Sequence, residues 1–428
     1  MSNPIQTAVT IIALLSALVS SCTYIHIHSR KLAILILPKM IANSLAAYIV
    51  MVDLILVILG DIFRARLGVV FSVVGMLIST LYILQVIASH AVFEKVLGPK
   101  WLETIPPYQR QRLSKNWWAL RPARLPQARC ERDIPFWAIP GTDRHLLCDI
   151  WRPEHNAYSS GLALIYLHTG EWHFADKGFG TQPLFRHLVG QGHVVMDVAY
   201  RLCPEVDLFG MLGDVQRAVV WMKSNATQFG IDPSRIVLAG GSAGGHLALL
   251  AAYTCDYPEL IPDDIKGNDL HVKGVVSYYG PPNLRAFFED GYGKVNPPEK
   301  VTKILMNLLG RSSEQRPNLY QKSSPVTYVK PNCPATLIFQ CEHDSGVPVD
   351  SARDFYRKLI DVGVCAVYVE FPQTDHAFDL QIKGITAIIR KNLHIPPSKN
   401  NFEDVSQYSP AAQVAMYDLD RFLALLNI

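Results

Sequence analysis

Gly240, Gly241, Ser242, Ala243 and Gly244 place a serine between glycines two residues to either side, after the apolar run Ile236–Ala239 and before the small-residue segment His246–Tyr253. This pattern predicts a strand that turns into a helix so tightly that the serine adopts a strained backbone, with glycines letting neighbouring chains pass close by. Its hydroxyl would stand at the edge of a sheet beside a helix N-terminus, where amides and the helix dipole favour developing negative charge. A serine hydroxyl is a poor nucleophile until a base takes its proton, and an imidazole base needs a carboxylate to fix its tautomer. Asp344 follows the apolar run Ala335–Gln340, and His376 follows the run Cys365–Phe371. Loops at the carboxyl ends of parallel strands open at one edge of a sheet, so Ser242, Asp344 and His376 can converge there despite their separation in sequence. The chemistry expected of such a trio is nucleophilic attack on an acyl carbon.

Other carboxylates lie nearby. Glu342 is the main rival to Asp344, followed by Asp350 and Asp375; Asp344 is preferred for its place before the Val347–Pro348 turn. The neighbours Cys341, Glu342, His343 and Asp344 cannot all turn toward one ion, and no distant ligand set accompanies them, so neither a metal nor another cofactor is expected. A tetrahedral intermediate needs donors for its oxygen. The Ala243 amide is one candidate, and Gly170 and Glu171 are the others, in the loop His168-Thr169-Gly170-Glu171-Trp172 after the run Leu162–Leu167. His168 reads as an organiser of that loop rather than a second base.

The elements needed to hold these residues recur through the last three hundred positions. Apolar runs at Leu146–Trp151, Leu162–Leu167, His193–Val198, Ile236–Gly240, Val272–Tyr278, Ala335–Gln340 and Cys365–Phe371 alternate with helical stretches, the pattern of a mostly parallel sheet wrapped by helices. Val215, Val219 and Met222 recur at helical spacing on a segment that ends near Gly230. An insertion near 281–330 carries Phe287, Phe288 and Tyr292, then Val301, Ile304, Leu305, Leu308 and Leu309 on one helical face. That helix could be a lid over an acyl pocket or could pack on the core.

The first hundred residues differ in kind. Ile5–Tyr24, Met40–Gly60 and Leu67–Ala88 are each long and apolar enough to cross a hydrocarbon core of about 30 Å as helices. The first lacks the basic start of a cleaved signal and is read as an anchor. Asp53 in the second is expected to face a neighbouring helix or water rather than to serve transport. The expected organisation is a membrane region at 1–95, a Pro-, Arg- and Trp-rich connector at 96–129 and a catalytic part at 130–428. The connector would lie near the membrane, with Trp117 and Trp118 at headgroup level or packed on the core. Arg30, Lys31 and Lys39, together with Lys95, Lys100, Arg110, Arg112 and Lys115, place the catalytic part in the cytosol by the positive-inside bias, which Arg64 and Arg66 oppose. A formal charge of +3 without a basic stripe argues against nucleic acid as a partner, and eight scattered cysteines fit a reducing compartment.

Taken together, these motifs resemble the hormone-sensitive-lipase-like branch of the α/β hydrolases, many of them carboxylesterases. The resemblance covers roughly Cys130 to the C-terminus. It rests on the His168–Trp172 loop, Tyr200 to Glu205, Asp232 to Arg235, Gly240 to Gly245, and the Asp344 and His376 segments. It implies an α/β-hydrolase fold, a triad of Ser242, Asp344 and His376, and an oxyanion hole formed by the amides of Gly170, Glu171 and Ala243; the bundle of about three transmembrane helices expected ahead of it is not part of the family's common core. Where the family usually has a run of glycines after the histidine, this chain has Thr169 and Glu171 around Gly170. The implied substrate is a small-molecule or lipid ester. A thioester, an amide or a catalytically silent scaffold are the alternatives.

Overall fold

The computed structural model describes residues 3–114, 127–154, 157–380 and 409–427. Eight strands form one sheet: β1 Arg129–Ala138, β2 His145–Arg152, β3 Ala163–Leu167, β4 Val194–Ala199, β5 Ile236–Gly241, β6 Gly274–Tyr278, β7 Ala335–Cys341 and β8 Ala366–Phe371. Their spatial order is β1-β2-β4-β3-β5-β6-β7-β8. β2 runs antiparallel to both β1 and β4, and every other pair is parallel. β3, β5 and β6 are buried along their whole length because helices cover both faces, which is why their sequences read as unbroken apolar runs. One core layer joins Ile165, Leu238 and Val275 to the helix Ala243–Tyr253 through Leu247 and Leu250. The other joins Leu164, Val237 and Val276 to the C-terminal helix Pro410–Leu426 through Leu419 and Phe422.

All seven runs expected to be strands are strands. β1 went unrecognised because it is a half-exposed edge strand carrying Glu131, Arg132, Asp133 and Pro135, residues that an edge tolerates and a central strand does not. The helix expected before β5 is Leu208–Ser224, capped by Asp207, and the chain turns at Gly230 in the left-handed region before entering β5.

Among the N-terminal helices, Pro4–Tyr24 and Arg66–Leu97 are each long and apolar enough to cross a membrane. The middle span, expected as one helix over Met40–Gly60, is instead broken. Helix Ile36–Ser44 ends at Leu45, and helix Ala46–Ile62 leaves it at 80°, so a third crossing exists only if this bent pair counts as one span. The break has a polar cause: Lys39, Asn43 and Ser44 are buried on the first half, and two of these side chains bond elsewhere in the chain instead of facing lipid. Lys39, counted above as a loop cation, is therefore not a surface charge. Asp53 is buried where Gly75 of the neighbouring helix leaves room; a Cβ at Gly75 would lie 2.5 Å from its Oδ2. Gly68, Ser72, Gly75 and Ser79 form one buried face of helix Arg66–Ala88, small enough for close helix approach, as in membrane bundles.

The segment after these helices packs on the core: Trp101, Ile105 and Leu113 are buried. Lys115, Trp117 and Trp118 lie outside the described residues.

Candidate active site

Ser242 sits between β5 and helix Ala243–Tyr253 with φ 52° and ψ −115°. A non-glycine residue in that region is strained, and two features hold it there. Its amide donates to the Tyr278 carbonyl at 2.8 Å, extending the β5–β6 ladder, and its own carbonyl accepts from His246 as the helix begins. Gly244 is required because a Cβ there would lie 2.0 Å from the Leu167 carbonyl oxygen, at the point where the helix passes the end of β3.

His376, in the turn after β8, places Nε2 3.0 Å from Ser242 Oγ. Its Nδ1 lies 3.0 Å from both oxygens of Asp344, in the turn after β7. Asp344 is itself held, its Oδ1 accepting from the amides of Gly346 and Val347 at 2.8 and 2.6 Å and its Oδ2 from Gln340 Nε2 at 3.3 Å. Burial disfavours a charged imidazole, but the Asp344 carboxylate outweighs it and holds the His376 pKa above its ordinary value. The rival acids are engaged elsewhere. Glu342 accepts from the Gln373 amide at 2.8 Å, and Asp350 pairs with Arg353. Asp375 ties the two loops together by accepting from the amides of Ser345 and His376 at 2.8 and 2.7 Å, and burial raises its pKa.

The amides of Gly170, Glu171 and Ala243 make no hydrogen bond among the described residues. Gly170 has φ 128°, and a Cβ on it would meet the Phe174 carbonyl oxygen at 1.9 Å, so only glycine fits. Glu171 also has positive φ, and its carboxylate turns to Lys300 at 3.0 Å, which leaves its backbone free of its side chain. His168 is buried, stacks on Tyr200 at 4.2 Å and bonds the Thr169 carbonyl; burial lowers its pKa.

The profile of the BD-FAE family matches residues 148–359, the stretch from β2 through the elbow to the helix after β7. The chain has the α/β-hydrolase fold. Esterase LipQ of Mycobacterium tuberculosis is 33% identical over 251 residues, 58% of this chain and 57% of that protein. Esterase LipC of the same organism is 31% identical over 244 residues, 56% of this chain and 59% of that protein. The chain thus spans little more than half the length of the curated relatives it matches. Among solved structures, native esterase 2 of Thermogutta terrifontis aligns with a TM-score of 0.47 at 20% identity, covering 65% of this chain and 97% of that one.

In this α/β-hydrolase fold a cavity of about 420 Å³ opens onto Ser242 and His376. Its walls include Phe174 and Phe179 from the glycine loop's far side and Phe287, Tyr292, Val295 and Asn296 from the insertion. The helix Pro298–Leu309 that follows buries Ile304, Leu308 and Leu309 in the core, so the insertion contributes to the pocket mainly through the residues ahead of that helix. Tyr279, with positive φ, sets its ring 4.7 Å from the His376 ring and donates its hydroxyl to Asp379, whose pKa burial pushes up to about 6.

Sequence reasoning missed a whole side of the site. Ile36 and Met40 of the broken pair line the cavity. Lys39 Nζ donates to His343 Nδ1 at 3.0 Å, Asn43 donates to the Gln373 carbonyl at 3.0 Å, and the Tyr82 hydroxyl lies 3.2 Å from Thr374 Oγ1. His26 stacks on His343 at 4.7 Å. These contacts join positions about three hundred residues apart; buried Lys39 and Asn43 in an apolar stretch were the only signal. Elsewhere, Cys255, Asp256 and His271 bring possible ligand atoms within 4.8 Å of one another, but Asp256 and His271 already pair with each other and Asp256 with Lys330.

Proposed function

We propose that this protein is a membrane-anchored serine hydrolase that cleaves carboxylic esters with apolar acyl groups. The observation that carries the reading is the continuous hydrogen-bonded chain Asp344–His376–Ser242 ending in an apolar cavity. In the first step His376 Nε2 takes the Ser242 proton as Oγ attacks the ester carbonyl carbon, and Asp344 stabilises the imidazolium through Nδ1. The carbonyl oxygen becomes an oxyanion facing the amides of Gly170, Glu171 and Ala243, in a site where fixed donors stabilise it without reorganising. Collapse expels the alcohol, which takes its proton from His376 and leaves an acyl group on Ser242. Water, deprotonated by His376, then attacks the acyl carbon and releases the acid. The esterase names of the relatives agree with this chemistry.

Anchoring is supported by the exposed apolar faces of the N-terminal helices, such as Ile12, Leu15 and Leu18 on the first and Leu77, Leu81 and Leu84 on the last. Tyr24 bonds Gln85 near the end of the last helix, which supports both helix ends lying on the side of the catalytic part. Lys95 in the last turn of that helix and Lys100 and Arg110 just after it favour the cytosol for that side. The test is Ser242→Ala in the full chain with p-nitrophenyl butyrate and a fluorophosphonate probe. Loss of turnover by a factor above about 10³ and loss of labelling are expected, and undiminished turnover would refute the reading.

A further inference from the structure

The cavity beside Ser242 is not built by the catalytic part alone. Ile36 and Met40 lie one helical turn apart on helix Ile36–Ser44 and line it together with Phe287, Val295 and Leu380. The helix cannot swing away freely, because Lys39 and Asn43, between and just beyond those two residues, bond to His343 and Gln373 in the loops that also bear Asp344 and His376. The preceding turn Arg30–Leu35 packs beside Tyr292–Val295 of the insertion, and Ile34 in that turn is 82% exposed. The Glu171 carboxylate beside the cavity is held by Lys300. An uncharged chain entering the cavity would meet the apolar side chains of Ile36 and Met40.

We propose that Ile36 and Met40, on the helix that begins the broken membrane pair, are the specificity-determining wall of the pocket and select esters with extended apolar chains. The proposal rests on the ester-hydrolase reading above and names its substrate class. The wall comes from a segment continuous with an apolar helix, so the substrates suited to it are those that dissolve in lipid. The break at Leu45 has a purpose in this account: a straight span would carry residues 36 and 40 along the bundle axis instead of across the face of the catalytic part.

The experiment measures kcat/KM of the full chain on p-nitrophenyl acetate, butyrate, octanoate and decanoate, with fluorophosphonate labelling of Ser242 run in parallel. Each methylene removed from apolar contact costs about fourfold. Met40→Trp, which adds bulk to the pocket lining, is expected to lower the octanoate-to-acetate ratio about 15-fold, the equivalent of about two methylenes. Met40→Ala and Ile36→Ala, which lengthen the pocket, are expected to move the decanoate-to-octanoate ratio upward. An opposite pair of shifts cannot come from general damage to the fold. Ratios unchanged within twofold in labelled variants would overturn the proposal while leaving the hydrolase reading intact. A parent chain that neither labels nor turns over any ester would instead overturn that reading and this proposal with it. If Met40→Trp fails to label, the two alanine variants decide: an upward shift supports the wall, and an unchanged profile removes it.

Discussion

Asp344→Asn separates the geometry of the site from its electrostatics. Asparagine matches aspartate in shape, and its Oδ1 can still accept from the Gly346 and Val347 amides, so the loop should keep its place. Its other end is then an NH₂ group facing His376 Nδ1, 3.0 Å away. That nitrogen must become an acceptor, the ring proton moves to Nε2, and the base presented to Ser242 Oγ at 3.0 Å is lost. Changing the tautomer in a triad costs about 10⁴ in rate, or about 5.5 kcal/mol of transition-state stabilisation. The pH profile should move as well. The charged Asp344 is what raises His376, so the parent's activity falls with acid around a midpoint above the ordinary imidazole value. Without that charge, burial is opposed only by the smaller pull of Asp375 and Glu171, and the midpoint of any residual activity shifts to lower pH. The assay is p-nitrophenyl butyrate hydrolysis from pH 5 to 9, with Glu342→Gln as the contrast, because Glu342 only holds Gln373 and its loss should cost less than about tenfold. An Asp344→Asn enzyme within tenfold of the parent, or one with an unmoved acid limb, would refute the reasoning.

Two further outcomes follow from local geometry. Gly170→Ala puts a Cβ against the Phe174 carbonyl, so the loop must shift its amides; kcat should fall by about 10² to 10³ with a smaller change in KM, measured by steady-state kinetics. His187 is half-buried against Asp420 at 2.8 Å; desolvation alone would lower its pKa, but the carboxylate raises it above the ordinary value. A raised folded-state pKa stabilises fully below the unfolded value of about 6.5, and the contribution disappears as pH climbs through the folded pKa. Parent and His187→Gln should therefore differ more in melting temperature at pH 6 than at pH 9, by thermal unfolding in detergent.

The parts of the fold legible in sequence are those governed by local composition. Central strands such as Ile236–Gly241 are apolar because both faces are covered, and the glycines around Ser242 follow from a turn that admits no Cβ at Gly244. That Ser242, Asp344 and His376 come within hydrogen-bond reach was foreseeable because each follows such a strand. What stayed hidden depends on partners distant in sequence. β1 carries charges that make sense only at an edge next to β2. The break at Leu45 reflects Lys39 and Asn43 reaching loops near residues 343 and 373, and two polar residues in an apolar stretch do not by themselves name such distant partners. The same holds for Ile36 and Met40, which look like lipid-facing residues until the cavity is seen.

The bonds from Lys39, Asn43 and Tyr82 to His343, Gln373 and Thr374 bear on how freely the two halves of this chain could be recombined. A tether that merely held an enzyme to a surface could be swapped for a lipid group or another hydrophobic tail. Here such a chimera would discard the struts under both bends that bear Asp344 and His376, and would open one side of the pocket to solvent. The two halves are expected to have been inherited, and to require expression, as one unit.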